Sequence, residues 1–227
     1  MLSDYVIPAL IILSFLFVTW YFLGMWMNRR RGIRLARALR ERLSVLSAED
    51  LAGRWVNSSI FQFTARRATT PIGKLAAILV LEARELPLIW LVSLLRGRRD
   101  LLVLRMNLRS TPAAGLELEA CSARTRPERE ARRRIAEGGW EQTNIGEYHV
   151  YHRSGAAHLV ETLKPLLHEW QPGLRRLSIS TTSPHLLLSF SPASAALETA
   201  TQFHAIQKLA AAILERQSAT RKQEKRS

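Results

Sequence analysis

The longest apolar stretch of the chain lies at its N-terminus. No residue from Tyr5 to Met27 is charged, and the Asn28–Arg31 block follows directly. At about 1.5 Å per residue, a helix over this run reaches about 34 Å, which is enough to cross a bilayer core of about 30 Å. Trp20 and Trp26 lie toward the arginine end, where amphipathic rings favour the headgroup zone. The pattern therefore predicts a transmembrane anchor over residues 1–28.

The charges on either side of this run predict its orientation. No Lys or Arg precedes Tyr5, whereas arginines follow Met27 at once. Because positive charge is retained on the cytoplasmic side, we expect a single-pass protein with its N-terminus outside and its C-terminal domain cytoplasmic. A cleaved secretory signal is disfavoured, since it would have a charged n-region, an apolar region of about 7–15 residues and a small-x-small cleavage site.

Residues 29–50 are predicted to form a basic juxtamembrane helix. Leu35, Leu39 and Leu43 recur at helical spacing, and arginines fill many of the other positions. Two interpretations stay open. In the first, the helix lies on anionic headgroups, and each basic residue contributes about 1 kcal/mol to membrane binding. In the second, it packs on the domain and its basic face is solvated. The candidate headgroup ligands are Arg29, Arg30, Arg31, Arg34 and Arg37.

Residues 51–193 mix predicted helices and strands without a regular βαβ rhythm, which indicates a cytosolic α+β domain. Within it, Ile72–Leu95 is almost as apolar as the anchor, but charged residues and Pro87 interrupt it. Each charge would cost about 2.5–3.5 kcal/mol at a bilayer centre, so we reject a second span. We predict two buried strands, Leu75–Ala83 and Leu88–Leu95, with a membrane-hugging helix pair as the alternative.

The remaining elements of the domain follow from shorter patterns. Asp100–Leu108 is predicted to be a helix that Asp100 caps. The alternating segment around Cys121, the sole cysteine, predicts a buried thiol and excludes an internal disulfide. The other predicted elements are strands at Ile60–Thr64, Leu116–Cys121, Glu147–His152, Leu174–Thr181 and Leu186–Phe190, and helices at Pro127–Glu137 and Ala156–Trp170.

Residues 194–227 are predicted to form a long C-terminal helix with a basic tail. Phe203, Ile206 and Ile213 share one apolar stripe, which is lost after Leu214. A helix that turns polar on every side is not held by core packing. The tail therefore either frays or docks on an acidic partner.

The net charge of +14 points to a polyanionic partner. Of the 33 basic residues, 28 are arginine, whose planar guanidinium binds phosphate bidentately and so suits lipid headgroups or RNA. For a membrane protein, the anionic leaflet alone would suffice as that partner. Because few aromatic residues lie within the basic patches, contact with the phosphate backbone is favoured over stacking on bases.

Catalytic patterns are missing from the sequence. It contains no phosphate loop and none of the GxGxxG, GxSxG and HExxH motifs. His149 and His152 are three apart in a predicted strand, so they point to opposite faces and would not share a metal. Glu117 and Glu119 lie on one strand face and, with many arginines nearby, are expected to be ion-paired. We predict no enzymatic activity, no metal, no cofactor and no small-molecule substrate.

The order of the parts, together with one local segment, resembles a known family. Leu94–Leu102 combines a basic stretch with Asp-Leu-Leu, a loop with Pro112 follows, and the strand Leu186–Phe190 precedes a helix that runs into Lys and Arg. This arrangement, from Tyr5 to Ser227, resembles the calumin family, the coiled-coil-containing single-span membrane proteins of the multipass translocon. The short segment before the anchor and the short tail suggest a minimal, prokaryotic relative.

The resemblance implies a function. The domain would sit beside a protein-conducting channel and assist the insertion of multi-span membrane proteins, and the tail would contact ribosomal RNA. The implied RNA contacts are Arg216, Arg221, Lys222, Lys225 and Arg226. The alternative is a single-span scaffold that its arginine patches hold on anionic lipid while it binds another membrane protein. An anchored enzyme is disfavoured, because no polar groups converge in the sequence.

Overall fold

The computed structural model describes residues 2–49, 51–95, 100–121, 135–136, 138–171, 173–192 and 201–224. The chain has an α+β fold, as the sequence predicts, and it consists of an N-terminal helix of 42 residues, a nine-stranded antiparallel sheet and further helices. The predicted helix Pro127–Glu137 and the arginines of 96–99 and 124–134 lie outside the described residues, apart from a helical fragment at 135–136.

The described part of the chain contains four α-helices and nine strands. The helices are α1 (Leu2–Leu43), α2 (Pro87–Leu95), α3 (Ala157–Trp170) and α4 (Thr201–Glu224). The strands are β1 (Ala52–Trp55), β2 (Ile60–Ala65), β3 (Ile72–Val80), β4 (Leu101–Leu108), β5 (Leu116–Ala120), β6 (Trp140–Ile145), β7 (Tyr148–Arg153), β8 (Leu174–Ile179) and β9 (Leu186–Phe190). Their order in the sheet is β1-β2-β3-β4-β9-β8-β5-β7-β6.

One face of the sheet carries the hydrophobic core. Successive side chains of a strand point to opposite faces, and in β4 the alternation buries Leu102, Leu104 and Met106 on the same side. Helices α3 and α4 supply the facing residues, and the ring of Trp170 packs edge-on against Phe190 with 6.4 Å between centroids. The apolar stripe predicted for the C-terminal helix is confirmed, since Phe203, Ile206 and Ile213 are buried, together with Leu209 and Ala210 between them.

Helix α1 is continuous from its apolar first half to its basic second half. It continues through the predicted boundary between residues 28 and 29, and its second half packs on the domain through Ala36, Leu39 and Leu43. Arg34 and Arg37 point away from the core and are exposed. This part of α1 is thus a packed helix with a solvated basic face, which is one of the two interpretations that the sequence left open.

Two predicted elements have the wrong type. Leu88–Leu95 belongs to helix α2 rather than to a strand, because strand β3 ends at Val80 and the segment that follows lies outside the sheet. Asp100–Leu108 is strand β4 rather than a helix, since it pairs with β3 on one side and β9 on the other. Its leucines at 101, 104 and 108 fit a helical stripe, but Leu102, Leu104, Met106 and Leu108 also recur at every second position, which suits a strand with one buried face.

Other predictions from the strand patterns are confirmed in part. Cys121 is exposed just after β5, contrary to the buried thiol predicted. Strand β6 was missed because Trp140–Ile145 contains mostly polar residues, as edge strands do. The remaining predictions hold: β2, β3, β5, β7, the β8–β9 hairpin and α3 all lie where the sequence indicates.

Candidate membrane interface

The first half of α1 makes little contact with the domain. Its side chains from Tyr5 to Leu23 are exposed, with Phe15 at 71% and Ile7 at 67% of full accessibility. The most apolar 18 consecutive residues of α1 have a mean hydropathy of 2.3, and none of them is buried. By length and composition, α1 is the one helix in the described chain that could cross a membrane.

Helix α2 is a second exposed apolar surface beside α1. It has nine residues, and none of them is charged. Six of its side chains are between 41% and 74% exposed: Leu88, Ile89, Leu91, Val92, Leu94 and Leu95. At 3.6 residues per turn, these positions cover an arc of about 220° around the helix axis. The remaining arc contains Trp90 and Ser93, which are less exposed.

Helix α1 and the start of α2 approach each other closely. The indole Nε1 of Trp20 donates a hydrogen bond of 3.0 Å to the carbonyl oxygen of Arg84. The rings of Trp20 and Trp90 lie with their centroids 6.0 Å apart. Gly24 permits this approach, since a Cβ there would lie only 2.4 Å from the Arg84 oxygen. As in other close helix contacts, a small residue lets the two backbones meet.

A buried polar cluster fixes α1 to the sheet at the end of the apolar run. We call it the junction cluster; it comprises Asn28, Arg31, Arg84, Glu85 and Asp100. Asn28 is fully buried, and its Nδ2 donates 2.8 Å bonds to the Glu82 carbonyl and to Oε2 of Glu85. Its Oδ1 accepts a 2.8 Å bond from Arg84. A single amide side chain thereby joins α1 to the segment after β3.

Asp100 is the centre of charge in the junction cluster. Its side chain is 2% exposed and lies 2.6 Å from Nε of Arg31 and 3.2 Å from Nη2 of Arg84. Its Oδ1 also accepts the backbone N–H of Glu82 at 2.9 Å. A buried carboxylate between two guanidinium groups is paired and hydrogen-bonded, which a charge removed from water requires. The middle of α1, where the apolar run ends, is therefore linked to both ends of the segment that carries α2.

The predicted headgroup ligands lie on the outer side of this junction. Arg29, Arg30, Arg34 and Arg37 are exposed, and the guanidinium of Arg30 lies 5.3 Å from the ring centroid of Trp26. Arg31 differs, because it is committed to the ion pair with Asp100.

The predicted RNA contacts fall at the far end of the chain. Arg216, Arg221 and Lys222 lie in the last part of α4, and Lys225 and Arg226 lie outside the described residues.

A shallow cavity of about 390 Å³ lies on the face of the sheet opposite the core. Its apolar lining includes Ile78, Val103 and Leu187, and its basic lining includes Arg105 and Arg176. These residues alternate along their strands with core residues, so they belong to the outer face. Among the described residues, no helix packs over this open face.

The ionisable groups of this open face are largely paired. Glu117 is buried, lies 3.1 Å from Nη2 of Arg176 and accepts a 2.7 Å bond from Ser178, which confirms its predicted ion pair. On the opposite face, burial, with the Glu147 charge, raises the pKa of Tyr148 to about 12, and its hydroxyl donates to the Leu174 carbonyl. Within the described ranges, no group of three His, Cys, Asp or Glu side chains is placed to hold a metal ion.

Comparisons with known proteins add little to this geometry. No protein-family model matches the sequence, and no curated protein matches it. Among solved structures, the crystal structure of the mycobacterial trehalose monomycolate transport factor A, TtfA, aligns with 76% of this chain and 89% of that chain, at 12% identity and a TM-score of 0.36. A TM-score at this level carries no conclusion about function. The resemblance to the calumin family stays a prediction.

Proposed function

We propose that this protein is a single-span membrane scaffold, with its sheet domain held at the cytoplasmic face. The observation that carries the proposal is the division of α1. Its apolar half is exposed from Tyr5 to Leu23 and contacts the domain mainly through Trp20 and Gly24, whereas its polar half packs into the core and is hydrogen-bonded to the domain at Asn28. A helix built in this way transmits the position of the membrane to the domain without a flexible linker.

The open face of the sheet is the surface that such a scaffold would offer to a partner. It combines half-buried apolar side chains with the exposed guanidinium of Arg105. Mixed apolar and arginine surfaces are typical of protein interfaces, where Arg is enriched and Lys depleted. We expect the partner to be another membrane protein with an acidic surface, because the chain carries a net charge of +14.

Cys121 provides the experiment for the anchor and its orientation. It is the sole cysteine and is exposed, so a membrane-impermeant maleimide reports which side of the membrane the domain faces. We expect labelling in inside-out vesicles and none in sealed right-side-out vesicles, with the chain resisting alkaline carbonate extraction. A Ser3→Cys, Cys121→Ser variant serves as the control and should give the reverse pattern. Release by carbonate, or labelling of Cys121 from outside, would contradict the proposal.

A second candidate function is assistance to membrane-protein insertion at the ribosome and protein-conducting channel. The supporting observation is that α4 continues as helix to Glu224, well past Ile213, the last residue of its buried stripe. The extension carries Arg216, Arg221 and Lys222, and it would reach an acidic partner such as ribosomal RNA. Phosphate contacts of this kind give salt-sensitive binding without sequence reading.

The test of the second candidate is co-sedimentation of the detergent-solubilised protein with ribosomes across a salt series. The full chain is compared with a chain that ends at Leu214. Binding that weakens with salt and disappears on truncation would support the ribosome role. If neither form sediments with ribosomes at low salt, the insertion function fails and the lipid-held scaffold stands alone.

A further inference from the structure

The connection between β3 and β4 is unusually long for two neighbouring antiparallel strands. Val80 pairs with Leu101, yet residues 81–100 separate them. Hairpin connections are commonly only about 2–5 residues long. The two ends of this connection meet again, because the N–H of Glu82 donates to Asp100 Oδ1 at 2.9 Å. The chain therefore leaves the sheet at the junction cluster, forms α2 and returns to the same point.

The excursion runs along α1 toward the centre of the apolar run. At its base, Glu82 and Glu85 contact Asn28. Further along, Trp90 contacts Trp20, which lies eight residues, or about 12 Å, closer to the N-terminus of α1. Half of a bilayer core is about 15 Å thick. A span that ends near Met27 therefore places α2 beside the part of α1 that lies in one leaflet.

The composition of α2 indicates what surrounds it. A helix that docks on one protein partner presents one apolar stripe, whereas a helix that is apolar around most of its circumference belongs in a core or in lipid. Apart from Ser93, α2 has no polar side chain, and six of its apolar side chains are exposed over about 220°. The side that is less exposed, with Trp90, faces α1. The hydrophobic core of the domain does not cover the other sides of α2.

We infer that α2 is a re-entrant membrane element whose ligand is the acyl-chain layer of the cytoplasmic leaflet. The inference rests on the proposed anchor, because α1 sets the depth. Nine residues of helix reach about 14 Å, too short to cross a core of about 30 Å, so α2 enters one leaflet only. The paired charges of the junction cluster lie at its base, where the chain enters and leaves the apolar layer. The domain is then held by two membrane elements, which restricts its rotation about α1.

Depth-dependent quenching of a fluorophore tests this inference. Single cysteines are introduced at Leu91, at Leu13 and at Glu161 in a Cys121→Ser background and labelled with an environment-sensitive dye. The full-length proteins are reconstituted in phosphatidylcholine–phosphatidylglycerol vesicles with or without doxyl-labelled phosphatidylcholine. Leu13 reports on the anchor itself, and Glu161 is an exposed position on α3 that reports on water.

We expect the Leu91→Cys label to show blue-shifted emission and quenching by doxyl lipid comparable with the Leu13→Cys label. The Glu161→Cys label should show neither effect. If the Leu91→Cys label behaves like the Glu161→Cys label while the Leu13→Cys label is quenched, α2 lies in water. The inference then fails, but the proposed anchor stands. If 91 is shielded from aqueous iodide yet not quenched by lipid, a second copy of the chain covers α2, which also overturns the inference. If no label is quenched, the proposed anchor itself is wrong.

Discussion

At the scale of single residues, Asp100 makes the most consequential contact. Its buried carboxylate pairs with two guanidinium groups, those of Arg31 and Arg84, whereas the sequence pattern predicts only a helix cap. The residue was recognisable as unusual, because a lone aspartate follows a basic stretch and precedes an apolar one. Arg31, which pairs with Asp100, belongs to a run of arginines, and the sequence does not indicate which of them forms the ion pair.

Replacement of Asp100 by Asn tests the junction cluster. Asn retains an oxygen for the N–H of Glu82 but removes the negative charge that Arg31 and Arg84 share. Removing one partner of a buried ion pair costs about 3–5 kcal/mol, and we expect the lower end because Arg31 is 41% exposed. The thermal midpoint and the free energy of unfolding are measured in detergent, with unfolding monitored by circular dichroism.

The matched control for Asp100→Asn is Glu49→Gln. Glu49 also pairs with an arginine, Arg67, at 3.5 Å, but both side chains are largely solvated. Exposed pairs contribute about 0–1 kcal/mol, so Glu49→Gln should leave the midpoint almost unchanged. Equal effects of the two substitutions would show that the junction cluster does not hold α1 to the sheet.

At the scale of elements, the sequence predicts both terminal helical segments and six strands, gives α2 and β4 the wrong type, and does not indicate β1 and β6. The six strands are β2, β3, β5, β7, β8 and β9. The apolar run of α1 is distinguished by its length and its lack of charge, the stripe of α4 follows a helical period, and the β8–β9 hairpin has turn residues between its two strands. In contrast, Leu88–Leu95 and Leu101–Leu108 are almost continuously apolar, so periodicity does not separate helix from strand. Tertiary context separates the two: β4 pairs with β3 and β9 within the sheet, whereas α2 lies outside the sheet, beside Trp20 of α1.

Gly24→Ala tests the packing of α1 against Arg84 and Glu85, which directly precede α2. In an exposed helix this change stabilises by about 1 kcal/mol, because Ala has the higher helix propensity. Here the new Cβ would lie 2.4 Å from the Arg84 oxygen and 2.7 Å from Cα of Glu85, so backbone must shift. Overpacking typically costs about 1–3 kcal/mol. We therefore expect a lower thermal midpoint, opposite in sign to the propensity effect.

Gly155→Ala is the control for this substitution. Its Cβ would lie 3.5 Å from the Cβ of Ala114, which is an ordinary contact. The midpoint should stay near that of the unaltered chain. A rise in the midpoint for Gly24→Ala would mean that α1 and the segment after β3 do not approach as closely as described.

At the scale of the whole molecule, the charge and the continuity of α1 determine how the proposed anchor would position the protein at a membrane. The sequence showed that the arginines after Met27 are numerous, but not that they stay in one unbroken helix to Leu43. In a continuous helix, each arginine has a fixed distance from the end of the apolar run. Arg30 lies about 5 Å beyond Met27, whereas Arg37 lies about 15 Å beyond it.

This spacing predicts a gradient of lipid binding along α1. The headgroup layer adds about 5–8 Å on each side of the core, so Arg29 and Arg30 fall within it and Arg37 lies outside it unless α1 is strongly tilted. We expect Arg29→Gln with Arg30→Gln to reduce selectivity for anionic lipid more than Arg34→Gln with Arg37→Gln does. Both pairs remove the same charge from exposed positions, so net charge alone predicts equal effects.

The selectivity is measured as the relative association of spin-labelled phosphatidylglycerol and phosphatidylcholine with the full-length protein. In 1 M salt the Debye length falls from about 10 Å at 0.1 M to about 3 Å, so contributions from Arg34 and Arg37 should vanish before those from direct headgroup contact. Equal losses for the two pairs would mean that the domain leans onto the bilayer with α1 steeply tilted. A tilt of this kind would draw α2 out of the leaflet or push it deeper. The quenching of the Leu91→Cys label by doxyl lipid should then differ from the value expected for an upright α1.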